Sequence, residues 1–385
     1  MLLKKLPISG DKNLILLICG LLAFGLVMIY NATAVYAQDL FGGAYRFVFL
    51  QIVWLTLGLA VFLFFCNYNY KNISKIAYKL FAATLCLLTL LAIIGLMPCS
   101  VNFPFAPCLN GANRWFYLNP APLPRLPFLG VIGFQPSELA KFALILYLGV
   151  QLSKKVRDGY TAFGVYIMSA CLAAFLIMLE PNMSTAALVF LIGTNMYFAS
   201  GASLKPLLFS FPMLGILGFL FMIVSPYRRD RLATFLSGSG PDELSIGYHI
   251  HQILIALGSG GIFGVGIGQS RQKFQYLPET ASDSIFAIIG EELGFAGTVL
   301  VVIAFGFLIY KGYTIAKKAP DLLGRLLAVG VTSWIGLQFF INVAAMVRLI
   351  PLTGVPIPLI SYGGSSLVFT LMGLGILVNI SKVTR

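Results

Sequence analysis

The sequence predicts an all-α, polytopic transmembrane bundle in one domain over residues 1–385, and three observations carry that reading. Hydrophobic residues make up 59% of the chain and charged residues only 10%, against about a quarter charged in soluble domains. Apolar runs long enough to cross a hydrocarbon core, each needing roughly 20 residues, recur along the whole chain. Lysine and arginine gather on alternate connections between those runs, the asymmetry typical of short cytoplasmic loops. A β-barrel would show short alternating segments, whereas these runs are continuous, Leu-rich and broken by Gly and Pro.

About ten spans are expected, at 14–36, 47–65, 77–97, 135–153, 160–179, 183–199, 207–224, 284–309, 323–345 and 366–381. The first follows two lysines and precedes the small residues of "ATAVYAQ", as a secretory leader does. Its apolar stretch is too long for a leader, and removing it would invert the charge parity of every later loop, so it is expected to stay as a helix. The inner connections carry Lys4, Lys5 and Lys12, then Lys71, Lys75 and Lys79, then Lys154, Lys155 and Arg157, then Lys205, then Lys311, Lys317, Lys318 and Arg325, and last Lys382 and Arg385. Both termini are therefore expected in the cytoplasm. The net charge of +13 is mostly topology and gives no reason to expect nucleic acid as a partner.

Two outward connections are long, at about 98–134 and 225–283. The first is rich in proline and is expected to be semi-rigid loop. It also holds Cys99 and Cys108, within "MPCSVNFPFAPCLN", where an oxidising exterior permits a bridge; bridged and free states both stay open. Cys19, Cys66, Cys86 and Cys171 read as small apolar filler. A shorter Pro- and Gly-rich stretch at about 348–366 is a candidate re-entrant loop, allowed at membrane depth only if it lines a cavity or is buried in protein.

Positive charges on the outside run against the topological trend: Arg114, Arg125, Arg228, Arg229, Arg231, Arg271, Lys273 and Arg348. Pairing with Asp230, Asp242 and Glu243 or snorkelling to membrane lipid headgroups would explain them, and so would an anionic partner at the outer surface. Within the spans, Glu138 and Lys141 lie three apart on one helical face and Glu180 stands at a helix end. Such groups face a bundle interior or a wet cavity, and the first two either pair with each other or serve function.

Acid is concentrated in "YLPETASDSIFAIIGEELGF". Ser282 is expected to cap the eighth span with Asp283 in its first turn, at the outer surface beside the basic loops. Glu291 and Glu292 follow about 12 Å deeper at 1.5 Å per residue, with Arg348 or Lys141 as candidate partners. "GSGGIFGVGIGQS" lacks the ending of a phosphate loop and reads as close backbone packing or a tight turn. His249 and His251 diverge on a helix with no third ligand near, which argues against zinc, and no metal ligand set can be named.

"GANRWF", "QPSELAK", "EPNMSTA", "YRRDRLATFL", "GSGGIFGVGIGQSRQKFQYLPE", "SDSIFAIIGEELG" and "PLTGVPIPLISYGGSSL" occur in that order between residues 111 and 367. Together they resemble the SEDS family of shape, elongation, division and sporulation proteins, and "SRQKFQYLPE" is more similar to its FtsW than its RodA branch. The resemblance implies an inverting glycosyltransferase that polymerises lipid II into peptidoglycan strands at the outer face of the cytoplasmic membrane, in division or elongation, with a class B penicillin-binding protein as partner. It implies Asp283 as the essential acid, Arg114 and Trp115 as the match to the family's Arg before a Trp, and Ser361 and Ser365 in a stretch bordering the cavity. Departures from the family pattern are Ala281 where a His is usual, Ser284 where an aromatic follows the acid, Asn182 for an Asp, and Asn113 before Arg114.

On that reading Asp283 is the general base for an acceptor hydroxyl. Arg114, with Arg228, Arg229 and Arg231, would neutralise the departing pyrophosphate, a duty that Mg²⁺ or Mn²⁺ could share. Glu138 and Lys141 join the candidate substrate contacts, while Glu180, Glu291 and Glu292 are assigned to structure or cavity shape. A lipid II carrier is the rival from another class, since intramembrane charges suit a transporter; it would need matched features on both faces, and the inner loops show none. A non-catalytic scaffold for the penicillin-binding protein is the third reading, against which the presence of Asp283 counts.

Overall fold

The computed structural model describes residues 10–101, 103–109, 111–120, 132–155, 158–208, 215, 226–237, 246–274 and 277–383. Helices α1 (Lys12–Phe41), α2 (Arg46–Asn67), α3 (Ala77–Gly95), α4 (Pro136–Lys155), α5 (Gly159–Leu179) and α6 (Met183–Ser200) form the first part of the bundle. After them come α7 (Pro226–Ser237), α8 (Ile246–Ser259), α9 (Ile285–Lys318), α10 (Leu322–Met346) and α11 (Gly364–Ser381). Among the described residues 8 helices are long and apolar enough to cross a membrane, all of these except α4, α7 and α8. The expected span at 207–224 lies outside the described residues apart from 207, 208 and 215.

Helix α4 carries Glu138, Lys141, Lys154 and Lys155 and yet is buried along most of its length. It packs against α3, α5, α6, α10 and α11, so protein rather than lipid surrounds Glu138 and Lys141, while Lys154 at its far end is exposed. Short acidic and amide side chains start the helices by accepting from first-turn amides. Asp11 does so for α1, Asp158 for α5, Asn182 for α6 and Asp321 for α10. Lys311 to Asp11 at 3.1 Å, the Tyr70 hydroxyl to Asp321 at 2.8 Å and Lys382 to the Cys66 carbonyl at 2.7 Å join four of the expected inner connections at one end of the bundle.

The expected second outward loop contains structure of its own. Helix α7 carries the basic "YRRDR" run, and α8 follows it. The Gly-rich segment after α8 does not stay outside. It folds back along α9, because α9 is broken at Gly294, whose backbone (φ 66°, ψ −165°) is not helical. The break would orphan the carbonyls of Glu291 and Glu292 and the amides of Phe295 and Ala296, an arrangement too costly at membrane depth. The segment replaces them one for one. Val265 and Gly266 donate to the carbonyls of Glu291 and Glu292 at 3.0 and 3.1 Å, while Phe295 and Ala296 donate to those of Gly261 and Ile262 at 2.9 and 3.0 Å. Gly264, at φ +81°, lies so close to the Glu292 carbonyl that a Cβ would overlap it.

The first outward connection is fastened by a Cys99–Cys108 disulfide and by a two-stranded antiparallel ribbon, β1 (Phe116–Tyr117) on β2 (Gly133–Phe134). The 351–363 stretch between α10 and α11 is irregular and largely buried in protein, with Leu352, Val355, Ile357, Leu359, Ile360 and Ser361 all inside.

Gly294→Ala should destabilise the protein by roughly 2–3 kcal/mol, since only glycine occupies this backbone region without strain and the new Cβ would meet Gly264 and Ile262. Thermal unfolding of the detergent-solubilised chain measures it; an unchanged midpoint would remove the break from its role.

Candidate functional site

Asp283 stands in a turn rather than in the first helical turn of α9. The amides of Ser282 and Ser284 both donate to the Glu279 carbonyl, at 3.2 and 3.1 Å, with Glu279 at φ 50°. Ser282 is not the cap that the sequence suggests, because its hydroxyl donates to the Glu279 carboxylate at 2.8 Å. The residue before α9 is Ser284, whose side chain makes no capping bond and instead meets His249 Nε2 of α8 at 2.8 Å.

Three segments distant in sequence converge on this turn. Asp283 is half-buried, and burial, helped by the charge of Glu279, pushes its carboxyl up to about 7 against the opposing pull of Arg231 and Arg114. Arg231, on α7, donates to the Leu352 carbonyl at 3.0 Å, and Arg348 returns a bond to the Phe235 carbonyl at 3.1 Å. Arg114 is held by the carbonyls of Glu180 and Pro181, at 3.0 and 2.7 Å. The residues on either side of it are held in turn by the disulfide-closed loop: Asn113 donates to the Ala106 carbonyl at 2.7 Å and Tyr117 to that of Phe105 at 2.8 Å. Gly354 closes the other side, where a Cβ would stand 3.1 Å from Asp283 Oδ2.

His249 is a member that the sequence reading dismissed. Burial and nearby Arg231 push it down to about 4, so at neutral pH it hydrogen-bonds as an uncharged ring. Glu180 lies behind Arg114 with a buried carboxyl that finds no hydrogen-bond partner among the described residues; burial pushes it up to about 9, with Arg114 opposing.

Other candidates lie elsewhere. Glu138 and Lys141 are a buried pair at 2.6 Å, with Lys141 also donating to Gln338 Oε1 at 2.9 Å and lying over the Trp334 ring. Ser361 and Ser365 are buried, and their hydroxyls accept from the amides of Ile357 and Gln135 at 2.8 and 3.3 Å. Arg229 is exposed on α7 and Trp115 half-buried after Arg114; the Arg228 side chain and all of Arg125, Asp242 and Glu243 lie outside the described residues.

Glu291 and Glu292 meet neither Arg348 nor Lys141. Glu291 accepts from the Ser270 hydroxyl and from the Arg271 amide at 3.0 Å. Glu292 accepts from the Ser270 amide at 3.2 Å and from the Asn31 side chain, with Lys273 Nζ at 3.6 Å. The broken helix explains the difference, since it draws residues 260–273 inward past both carboxylates. Lys273, expected to face outward, is consequently buried.

A family model for cell cycle proteins of the FtsW, RodA and SpoVE group matches residues 12–385. The stage V sporulation protein E of Bacillus subtilis (strain 168) is 37% identical over 384 residues, covering 98% of this chain and 98% of that protein. A protein named probable peptidoglycan glycosyltransferase FtsW from the same organism is 37% identical over 399 residues, covering 100% of this chain and 93% of its own. Among solved structures, one described as the structural coordination of polymerization and crosslinking by a peptidoglycan synthase complex superposes with a TM-score of 0.77. It is 25% identical and covers 98% of this chain and 99% of the matched one.

The buried pair of α4 offers a test of its own. Lys141→Met should cost about 3–5 kcal/mol by stranding the Glu138 carboxylate, and Glu138→Gln combined with it should recover most of that loss. Thermal unfolding of the single and double variants decides; equal losses in both would mean that the pair does not act as a unit.

Proposed function

The chain belongs to the FtsW, RodA and SpoVE family and is a peptidoglycan glycosyltransferase, a multi-pass bacterial membrane protein; from that premise we propose that it polymerises lipid II with Asp283 as general base. The observation that carries this is the convergence of Arg114 and Arg231, from separate connections, on the one half-buried carboxyl at the head of α9.

Glycan extension requires a sugar hydroxyl to lose its proton as its oxygen attacks an anomeric carbon, while the bond from that carbon to the lipid pyrophosphate breaks on the opposite face. The proton passes to Asp283. A carboxyl pushed up to about 7 is matched to that task, because a base works best when its pKa lies near the operating pH. The negative charge that develops on the pyrophosphate is met by Arg114 and Arg231. Both inner guanidiniums are already held by backbone carbonyls, so little reorganisation accompanies the reaction. Attack from one face and departure from the other gives inversion without an enzyme nucleophile.

A divalent cation, Mg²⁺ or Mn²⁺, belongs to the proposal as a second neutraliser of the leaving group. No group of three His, Cys, Asp or Glu that could hold a metal occurs among the described residues. If such a cation binds, the substrate's own phosphate oxygens would hold it, with Glu279 as the nearby carboxylate that could assist, and it would supply further charge neutralisation. The likeness to a peptidoglycan synthase complex supports a class B penicillin-binding protein as the partner that crosslinks the strands.

Asp283→Asn should insert normally and lose lipid II polymerisation by at least about 10²-fold, within the range that general-base catalysis contributes; glycan strands formed at the normal rate by the purified variant would refute the assignment. In the unaltered enzyme the rate should rise with pH through a midpoint near 7, since the active form of Asp283 is the ionised one. A rate that falls over that window would reverse its role to general acid.

A further inference from the structure

Helix α10 presents Trp334, Gln338 and Asn342 at four-residue spacing, which puts them on one face. Asn342 is fully buried. Its side-chain nitrogen donates to the carbonyl of Asp283 at 2.7 Å and to that of Val355 at 2.8 Å. Two carbonyls as partners require the nitrogen, rather than the oxygen, to face them. One turn earlier, Gln338 donates to the Pro356 carbonyl at 2.8 Å and accepts from Lys141 and Trp334. Consecutive carbonyls of the 351–363 stretch are thus held from one helix face, and the same face holds the peptide of Asp283.

We propose that Asn342 is a positioning residue for the reaction, fixing the distance between the Asp283 peptide and the 353–355 segment that walls its carboxylate. Both hydrogens of a planar amide group are used, one on each side of the gap, so the group sets a spacing rather than an attachment alone. Gly354, next to the held Val355, leaves its Cα side open to Asp283 Oδ2, where a Cβ would stand at 3.1 Å. A spacing so tight gives the carboxylate few alternative orientations. Asn342 Oδ1 stays buried with no partner among the described residues, so the two donations alone orient the amide. Through Gln338 the same face connects the Glu138–Lys141 pair to the site, which gives that buried pair a part in the geometry without contact with substrate.

The inference rests on Asp283 being the base, and the test separates the two. Lipid II polymerisation is followed across pH 5–9 for the purified full chain and for Asp283→Asn, Asn342→Leu and Asn342→Ser. Asn342→Leu should lower kcat about 10- to 100-fold, the scale of a misplacement near 1 Å. KM for lipid II should stay within about twofold, and the pH midpoint should move to the acid side as the loosened carboxyl gains water. Asn342→Ser, which keeps one donor, should fall between, and it decides the matter if the Leu variant does not fold. A folded variant with kcat and midpoint unchanged, a loss confined to KM, or failure of both variants to fold would overturn the proposal. Continued polymerisation by Asp283→Asn would instead overturn the base itself.

Discussion

The break in α9 at Gly294 is the constraint from which the outer half of the molecule follows. A helix interrupted within a membrane leaves amides and carbonyls that lipid cannot satisfy, and here a neighbouring segment supplies each missing bond. The exchange fixes the register between residues 260–266 and α9 to the single residue, because only one alignment pairs all four groups. Glu291 and Glu292 extend the same junction through their side chains. Between them they take the amides of Ser270 and Arg271, the Ser270 hydroxyl, the Asn31 side chain and the ammonium of Lys273. Two buried carboxylates with one lysine would be costly if they were otherwise bare; the neutral donors make the site tolerable. Asn31 also brings α1 into the junction, so the break is clamped from both sides.

Asp283 stands in the turn that leads into the same helix, two turns above that clamp, and the groups that hold and face it come largely from other parts of the bundle. Its peptide is held from α10 and the charges around it come from the first outward connection and from α7. Arg114 and Arg231 each donate to carbonyls of other segments, which orients long side chains that would otherwise sample many rotamers. Preorganisation of this kind is what makes fixed charges effective at a reacting centre. The disulfide belongs to the same logic at one remove, since the loop that it closes accepts from Asn113, the residue before Arg114.

Apolar runs and charge parity made most of the helices legible, because crossing a bilayer imposes length and composition locally. Asp283 was legible as an outer acid beside basic loops, though its turn was not: Ser282 has the form of a cap, and only the nearby Glu279 carboxylate diverts it. The inward course of the Gly-rich segment was not legible, for backbone exchange between distant segments leaves no period in the sequence. Glu291 and Glu292 inherited that uncertainty, since their partners are mostly amides, which every residue possesses. His249 and Asn342 were missed for different reasons. Histidines were weighed only as metal ligands, whereas Gln338 and Asn342 did leave a signal, two amides four apart in an apolar span. Such residues are expensive in a membrane, and they point to a common partner on one face.

Ser284 shows how a departure from a family motif can be absorbed. An aromatic side chain is the usual residue after the acid, and it would pack without any need for a hydrogen bond; a serine hydroxyl buried at the same place requires one. His249 meets that need from α8 at 2.8 Å, and burial, with Arg231 nearby, keeps its ring uncharged. A protonated imidazole here would add a third positive charge close to Asp283 and lower the affinity of the carboxylate for a proton. The neutral ring couples α8 to the head of α9 while leaving the charge balance at Asp283 to the two arginines. The motif has thus changed its fastening while keeping the charges that face Asp283, and for this reason the altered flank of Asp283 does not by itself argue against the proposed chemistry.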